Sequence, residues 1–174
     1  GILGNMFAVN MSVQSMDDEV LKKIKRSNIK LDHYKEVNKN LQKNGRLTKA
    51  ELIMPLPGET KESFMRGIDD LISSGVSSLT IYTLMLLNGT EFKDTQYRKK
   101  FDIKGRFRIV PLNFGEYEGE KIFDFEEVGI QTKDMPFEDY LYLRGFALMI
   151  ESLINGRVFE EFFLYSNSLG VERT

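Results

Sequence analysis

Short apolar runs alternate with amphipathic stretches along the chain in an order that predicts strand, helix, strand, helix, strand, helix. The first strand is expected at Met6–Met11, which alternates poorly and so reads as buried on both faces. Asp17 is placed to cap a helix whose apolar positions Val20, Leu21 and Ile24 recur at helical spacing. A second helix is expected from Asp32 to Lys43, closed by Asn44-Gly45 because glycine accepts the positive φ that follows a helix. Leu47–Met54 reads as the second strand. Pro55 and Pro57 stop it, since neither ring carries an N–H for a ladder. Thr60 then caps a helix with Phe64, Ile68, Leu71 and Ile72 on one face, and Ser74-Gly75 closes it. Ser78–Leu84 forms the third strand, and Asn88-Gly89-Thr90 turns into a polar helix ending near Phe101.

Past Lys104 the pattern changes. Arg106–Pro111 and Glu127–Thr132 read as strands separated by a Gly/Glu/Tyr-rich stretch, Gly115–Glu120. Phe137–Ile154 is a long amphipathic helix with Tyr140, Leu143, Phe146, Ala147 and Ile150 at helical spacing, and a shorter helix follows Asn155-Gly156. Parallel βα units must be covered on both faces or closed into a barrel. Three are too few for an eight-stranded barrel, which takes about 250 residues. The expected fold is therefore α/β: a partial, incomplete TIM-type βα barrel with parallel strands over 1–104, then a small α+β C-terminal extension over 105–174. On this reading the earlier strands of the barrel precede Gly1, and the open barrel edge offers a surface for self-association.

Composition narrows the classes. A chain of 174 residues with 41% hydrophobic content has material for a core. With 24 basic and 26 acidic residues, net −2, nothing recruits nucleic acid or an anionic membrane surface. The longest apolar runs, such as Leu84–Leu87, are far too short to span a bilayer. The absence of cysteine excludes disulfides and thiolate metal sites within the chain, and a single histidine, His33, excludes a multi-histidine site. A cytoplasmic setting and a small-molecule substrate are the expectation.

In βα folds, ligands gather where strands end and helices begin. Gln14, Ser15, Pro57, Gly58, Glu59, Thr60, Asn88, Gly89 and Thr90 fall at that edge. Glu51 lies inside a strand, where a carboxylate facing a core needs a partner or a ligand. It is either an acceptor for a pair of ligand hydroxyls or an ordinary solvent-facing or ion-paired strand residue. Taken singly, the other motifs have plain explanations. Pro57-Gly-Glu-Thr60 suits a tight turn and a helix cap, Arg26 suits a helix C-terminus, and Asn88-Gly-Thr90 is again a turn and cap. The aromatics Phe114, Tyr117, Phe123 and Phe125 either cover a barrel mouth or belong to a core.

Their order and combination say more. Ser12-Val-Gln-Ser15, Asp18 through Arg26, Glu51-Leu-Ile-Met-Pro-Leu-Pro-Gly-Glu-Thr60 and Tyr82-Thr-Leu-Met-Leu-Leu-Asn-Gly-Thr-Glu91 together resemble the second half of a radical S-adenosylmethionine (radical SAM) barrel. The resemblance is greatest to the enzymes with an upstream cobalamin-binding domain, whose C-terminal extension is similar to Gly115-Glu-Tyr, Glu126-Glu-Val and Asp139-Tyr-Leu. It implies a parent enzyme that reductively cleaves S-adenosylmethionine at a [4Fe–4S] cluster for radical chemistry or methyl transfer. The cluster ligands would lie outside this chain, cobalamin would enter through an upstream domain, and this piece would supply binding walls and pack against the remainder of the barrel.

Residue by residue, the resemblance implies that Gln14, with Ser12 beside it, hydrogen-bonds the ribose or amino-acid portion of S-adenosylmethionine. Arg26 would pair with its carboxylate, and Glu51 would accept from the ribose hydroxyls. Backbone from Ile53 through Pro55 to Leu56, and from Tyr82 to Leu84, would flank the adenine. Two departures stand out. Pro55 replaces a usual glycine and removes room and a donor at the adenine. The three-cysteine cluster motif is absent and is expected upstream. The competing reading is a non-catalytic barrel-derived module that binds a nucleoside-like ligand or a protein. A phosphate-cradling enzyme using Gly58 or Gly89 ranks last, because no lysine or serine cluster supports it.

Overall fold

The computed structural model describes residues 9–171. It is a mixed α/β arrangement of a three-stranded parallel sheet and a two-stranded antiparallel one. Strand β1 (Val9–Gln14) pairs with β2 (Thr48–Met54), and β2 with β3 (Ser78–Thr83), in sequential order. Between them run α1 (Asp18–Lys23), α2 (Leu31–Lys43) and α3 (Lys61–Ser73). The caps are those the sequence predicts. The Asp17 carboxylate accepts from the Glu19 and Val20 amides, and Thr60 and Ser63 form a reciprocal capping box.

Period-two alternation gives the sheet two unlike faces. Along β2, Thr48, Ala50, Leu52 and Met54 are buried while Lys49, Glu51 and Ile53 between them are half-buried. The buried face joins one core with Val13 and Leu79 of the neighbouring strands, Tyr34 of α2, and Phe64, Ile68 and Leu71 of α3. Helices α2 and α3 cover that side, while Val20 of α1 and Phe101 form a second, smaller cluster with Leu56, Leu84 and Leu86, against which Ile53 at the end of the other face packs. A parallel sheet normally has both faces covered, so the second face, carrying Asn10, Ser12, Lys49, Glu51, Thr80 and Tyr82, is the unusual one.

The segment after residue 104 belongs to the same core. Helix α5 (Phe137–Met149) contributes Tyr140 and Leu143, and the π-helical turn that continues it (Ile150–Asn155) contributes Ile150. Lys61 on α3 pairs with Asp139 on α5 at 2.8 Å. Asn155 bonds the outer edge of β3 as a strand would, its Oδ1 accepting from the Leu79 N–H at 2.9 Å and its Nδ2 donating to the Leu79 carbonyl at 2.8 Å. The other end of that edge is taken by β5 (Glu120–Gln131), whose Val128 bridges Met85 antiparallel. Gly129 lets the strand lie close there, since a Cβ on it would stand 3.2 Å from Leu84 Cδ2. The β3 edge is therefore occupied, whereas β1 pairs on one side alone among the described residues.

Several boundaries differ from expectation. The first strand runs to Gln14 rather than Met11, and Met6–Ala8 lie outside the described residues. Helix α1 ends at Lys23, because Lys25 takes a left-handed φ of 57° and the Arg26 N–H bonds back to the Leu21 carbonyl. The polar helix expected from Asn88 is a short 3-10 turn (Glu91–Lys93), then α4 (Thr95–Phe101), which starts anew because the Asp94 carboxylate caps it. The short strands expected near Arg106 and Glu127 are the roots of one long hairpin of β4 (Lys104–Tyr117) and β5, turning at Glu118 and Gly119. Its pairing spans most of the stretch read as irregular, with a register break between Ile109 and Phe114. Its aromatics are not core: Phe114 and Phe125 are 69% and 70% exposed.

The packing of α5 on the sheet has a direct consequence. Leu143 is 0% exposed within the main core. Leu143→Ala is expected to cost about 2–5 kcal/mol, the usual range for a leucine truncated in a packed core. Urea denaturation reads this, and a loss below about 1 kcal/mol would show that α5 does not complete the core.

Candidate functional site

Glu51 is the centre of the uncovered face. The parallel register sets Ser12 of β1 on one side of it and Thr80 of β3 on the other. Ser12 Oγ donates to Glu51 Oε2 at 2.6 Å, Asn10 Nδ2 donates to Oε1 at 3.0 Å, and Lys49 Nζ stands 3.7 Å from Oε1. The hydrogen bond from Ser12 holds the Glu51 carboxyl below its ordinary value against partial burial, with Asn10, Lys49 and Tyr82 adding to the effect. The group is therefore an ionised, acceptor-only carboxylate on an open sheet face. Its Lys49 contact also satisfies the plainer ion-pair reading. The alternation of β2 put Lys49 and Glu51 on one face, but Asn10 and Thr80 required the register between strands.

Gln14 closes β1 in a strained way. Its φ is 66°, and the Ser15 N–H donates to the Val13 carbonyl at 2.8 Å, which makes a γ-turn. Asn28 braces both sides of that turn, its Nδ2 donating to the Val13 carbonyl at 3.0 Å and to the Ser15 carbonyl at 2.7 Å. Beside the turn lies a fully buried carboxyl, Glu59, 1% exposed. The hydroxyls of Ser15 and Ser63 each donate to one of its oxygens. Burial pushes the Glu59 carboxyl up, the two serine bonds pull it down, nearby Asp17 raises it and Arg66 lowers it.

The remaining predicted residues are less gathered. Ser12, Gln14 and Glu51 share adjacent strands, and Ile53 and Tyr82 face one another in the β2–β3 register. Pro55 is buried after a cis Met54–Pro55 bond, and Gly58 follows at a φ of 89° with its N–H on Asp134 Oδ2 at 2.9 Å. Leu84 is buried, and its backbone is spent: its N–H bonds the Met54 carbonyl and its carbonyl accepts from Gly129. It offers a ligand van der Waals contact only. Arg26 is exposed beyond α1, and among the described residues no bond joins it to the Glu51 group. A hollow of about 410 Å³ lies elsewhere, lined by Lys104, Gly105, Arg106, Ile130, Gln131 and Phe137, and none of the predicted residues reaches it.

The residues present fit two of the implied groups differently. An ionised carboxylate flanked by hydroxyl and amide side chains suits a ligand with a pair of hydroxyls, such as a ribose. An iron–sulfur cluster has no holder here: the chain lacks cysteine, and no group of three or more His, Cys, Asp or Glu able to hold a metal occurs among the described residues.

No protein-family model matches the chain. A cobalamin-dependent radical SAM methyltransferase, TokK, from Streptomyces tokunonensis is 29% identical over 155 residues, covering 87% of this chain and 22% of that protein. Both relatives found are named as methyltransferases. The second, the 2-(S-pantetheinyl)-carbapenam-3-carboxylate methyltransferase of Streptantibioticus cattleyicolor, is 26% identical over 155 residues, again 87% of this chain and 22% of that protein. The chain thus spans about a fifth of the length of the curated relatives it matches. Similarity to these proteins supports the radical SAM, cobalamin-dependent kind for the chain. Among the described residues, no helix is long and apolar enough to cross a membrane.

The carboxylates make opposite pH signatures. Glu51 is held below its ordinary value, so its contribution is present above the unfolded-state value and lost as pH falls through the folded one. Glu59 is raised, so its contribution is present below the unfolded-state value and lost as pH rises through the folded one. Glu59→Gln removes that loss. Its stability relative to wild type is expected to increase as pH rises from the ordinary 4.5 through the raised value, read by urea denaturation across that window. A difference independent of pH would contradict the assignment.

Proposed function

We propose that this chain is one part of a radical SAM methyltransferase and supplies a wall of its S-adenosylmethionine site. The observation that carries the reading is the asymmetric sheet: sequential parallel strands, the main helix-packed core on one face, and a polar stretch of the second face centred on Glu51. A doubly wound sheet reverses its strand order and covers both faces. A barrel keeps sequential order and turns the second face inward, so the polar face is read as barrel interior. The sheet order and the two relatives support reading the chain as a section of a partial βα barrel, with the β1 edge, unpaired among the described residues, as the seam to the remainder.

Each residue then has a task. Glu51, kept ionised by Ser12, accepts from the ribose hydroxyls and fixes the nucleoside along the strand direction. Gln14, paired with Leu52 at the end of β1 and set in a γ-turn, presents its amide to the ribose or amino-acid portion. Arg26 pairs with the carboxylate of the same ligand once the ligand spans from strand end to helix end. Ile53 and Tyr82 give the adenine an apolar and an aromatic surface, and Pro55 and Leu84 close the space behind them. Bound S-adenosylmethionine, with a [4Fe–4S] cluster and cobalamin held by other parts of the protein, supplies the radical or the methyl group. This chain's residues bind, orient and exclude water.

Anaerobic reconstitution of the full-length protein with iron and sulfide, followed by assay for S-adenosylhomocysteine and 5′-deoxyadenosine, tests the reading. Product is expected in wild type. Glu51→Ala is expected to weaken S-adenosylmethionine binding about tenfold to a hundredfold, the cost of charge-assisted bonds to two hydroxyls. A reconstituted protein that forms neither product, or whose affinity for S-adenosylmethionine is unchanged by Glu51→Ala, would overturn it.

A further inference from the structure

The buried Glu59 is unused by the function proposed above, although it bridges the two loops that follow the Gln14- and Glu51-bearing strands. One loop joins β1, which ends at Gln14, to α1 and begins with Ser15. The other joins β2 to α3 and contains Pro57 through Thr60. At the first, Ser15 Oγ donates to Glu59 Oε2 and accepts from the Asp17 N–H at 3.1 Å. At the second, Ser63 Oγ donates to Glu59 Oε1 and accepts from the Thr60 N–H at 3.0 Å. The result is a continuous chain of bonds from the residue that caps α1 to the residue that caps α3, with the carboxylate at its midpoint. Every polar atom along it has its partner.

We propose that Glu59 is a positioning residue, whose carboxylate locks the strained Gln14 turn to the first turn of α3 and so presets Gln14 for its ligand. A non-glycine residue at positive φ costs free energy and persists only where its surroundings hold it. Here the surroundings are specific. Asn28 holds the carbonyls on either side of Gln14. Glu59 holds the Ser15 side chain immediately after it. Asn28 supplies donors to backbone within its own βα unit. The β1–β2 ladder fixes the strands themselves, and Glu59 adds the bond that ties Ser15, just past the Gln14 turn, to the first turn of α3, so the setting of that turn depends on it. A carboxylate suits the task because both oxygens accept, whereas an amide offers one acceptor and must present donors to the other serine. The raised carboxyl of Glu59 is the stability lost for this arrangement.

The proposal rests on the proposed S-adenosylmethionine site for its purpose, and on the bond network for its mechanism, so two readouts separate them. Glu59→Gln keeps the volume and removes one acceptor; Ser15→Ala cuts the β1 arm and keeps the carboxylate. Native-state amide exchange of the Asp17 and Thr60 N–H groups reads the lock, and both variants are expected to speed exchange at Asp17 about tenfold, with the core amides of β2 unchanged. Equilibrium binding of S-adenosylmethionine, measured where each variant is fully folded, is expected to weaken about tenfold in both. Variants that lower only the melting temperature, with Asp17 exchange and affinity as in wild type, would reduce Glu59 to a plain core residue and overturn the proposal. A wild-type protein that binds no S-adenosylmethionine would remove the proposed ligand, and the exchange at Asp17 would still decide the lock.

Discussion

Everything in this molecule follows from a parallel sheet that keeps its main core on one side. Sequential β1, β2 and β3 stack Val13, Ala50, Leu52, Met54 and Leu79 toward α2, α3 and α5, and that face holds the main core. The same pleat sends Asn10, Ser12, Lys49, Glu51 and Tyr82 the other way. A carboxylate in mid-strand would be a defect beneath a second layer of helices. On an uncovered face it is a preorganised acceptor, already ionised and already aligned by its neighbours. One packing asymmetry thus yields both the stability of the sheet and the chemistry of its surface.

The C-terminal third secures this arrangement. Met135, Tyr140, Leu143 and Ile150 fill the core under the sheet, and Asn155 takes the hydrogen-bonding groups of Leu79 on the outer strand. At the far end of the same strand, β5 takes Leu84 and Leu86 into its own ladder. Glu127, at that root, is buried enough to be pushed up, yet Lys93 and Arg98 together hold it below its ordinary value. The β3 edge is therefore closed by a side-chain amide, an antiparallel strand and an ion-pair cluster. The β1 edge has no counterpart among the described residues, which gives the sheet a single direction in which to extend.

How much of this was legible in the sequence depends on the range of the interaction. Asp17 and Thr60 were readable as caps because a cap is a bond to an amide two or three residues away. The strand at Thr48–Met54 and its stop at Pro55 were readable because alternation and a missing N–H are local. Glu51 was singled out correctly as a mid-strand carboxylate, but its partners Asn10 and Ser12 sit about 40 residues upstream and appear only through register. The hairpin was read as two short strands, since Pro111 and the charged and glycine-rich stretch around Gly115 break every local strand signal while cross-strand pairs carry the ladder. Glu59 looked like part of a turn motif. Its burial depends on Ser15, 44 residues away, and on Ser63 one helical turn on, and no local pattern announces such a bridge.

The central claim is that the polar sheet face is a nucleoside-binding wall, and mapping amide chemical shifts during titration with S-adenosylmethionine tests it most directly. The account predicts perturbations concentrated at Ser12, Gln14, Glu51, Ile53 and Tyr82, with the helix-covered core and the hollow near Lys104 and Phe137 unmoved. Perturbations confined to that hollow or to the hairpin aromatics would contradict it.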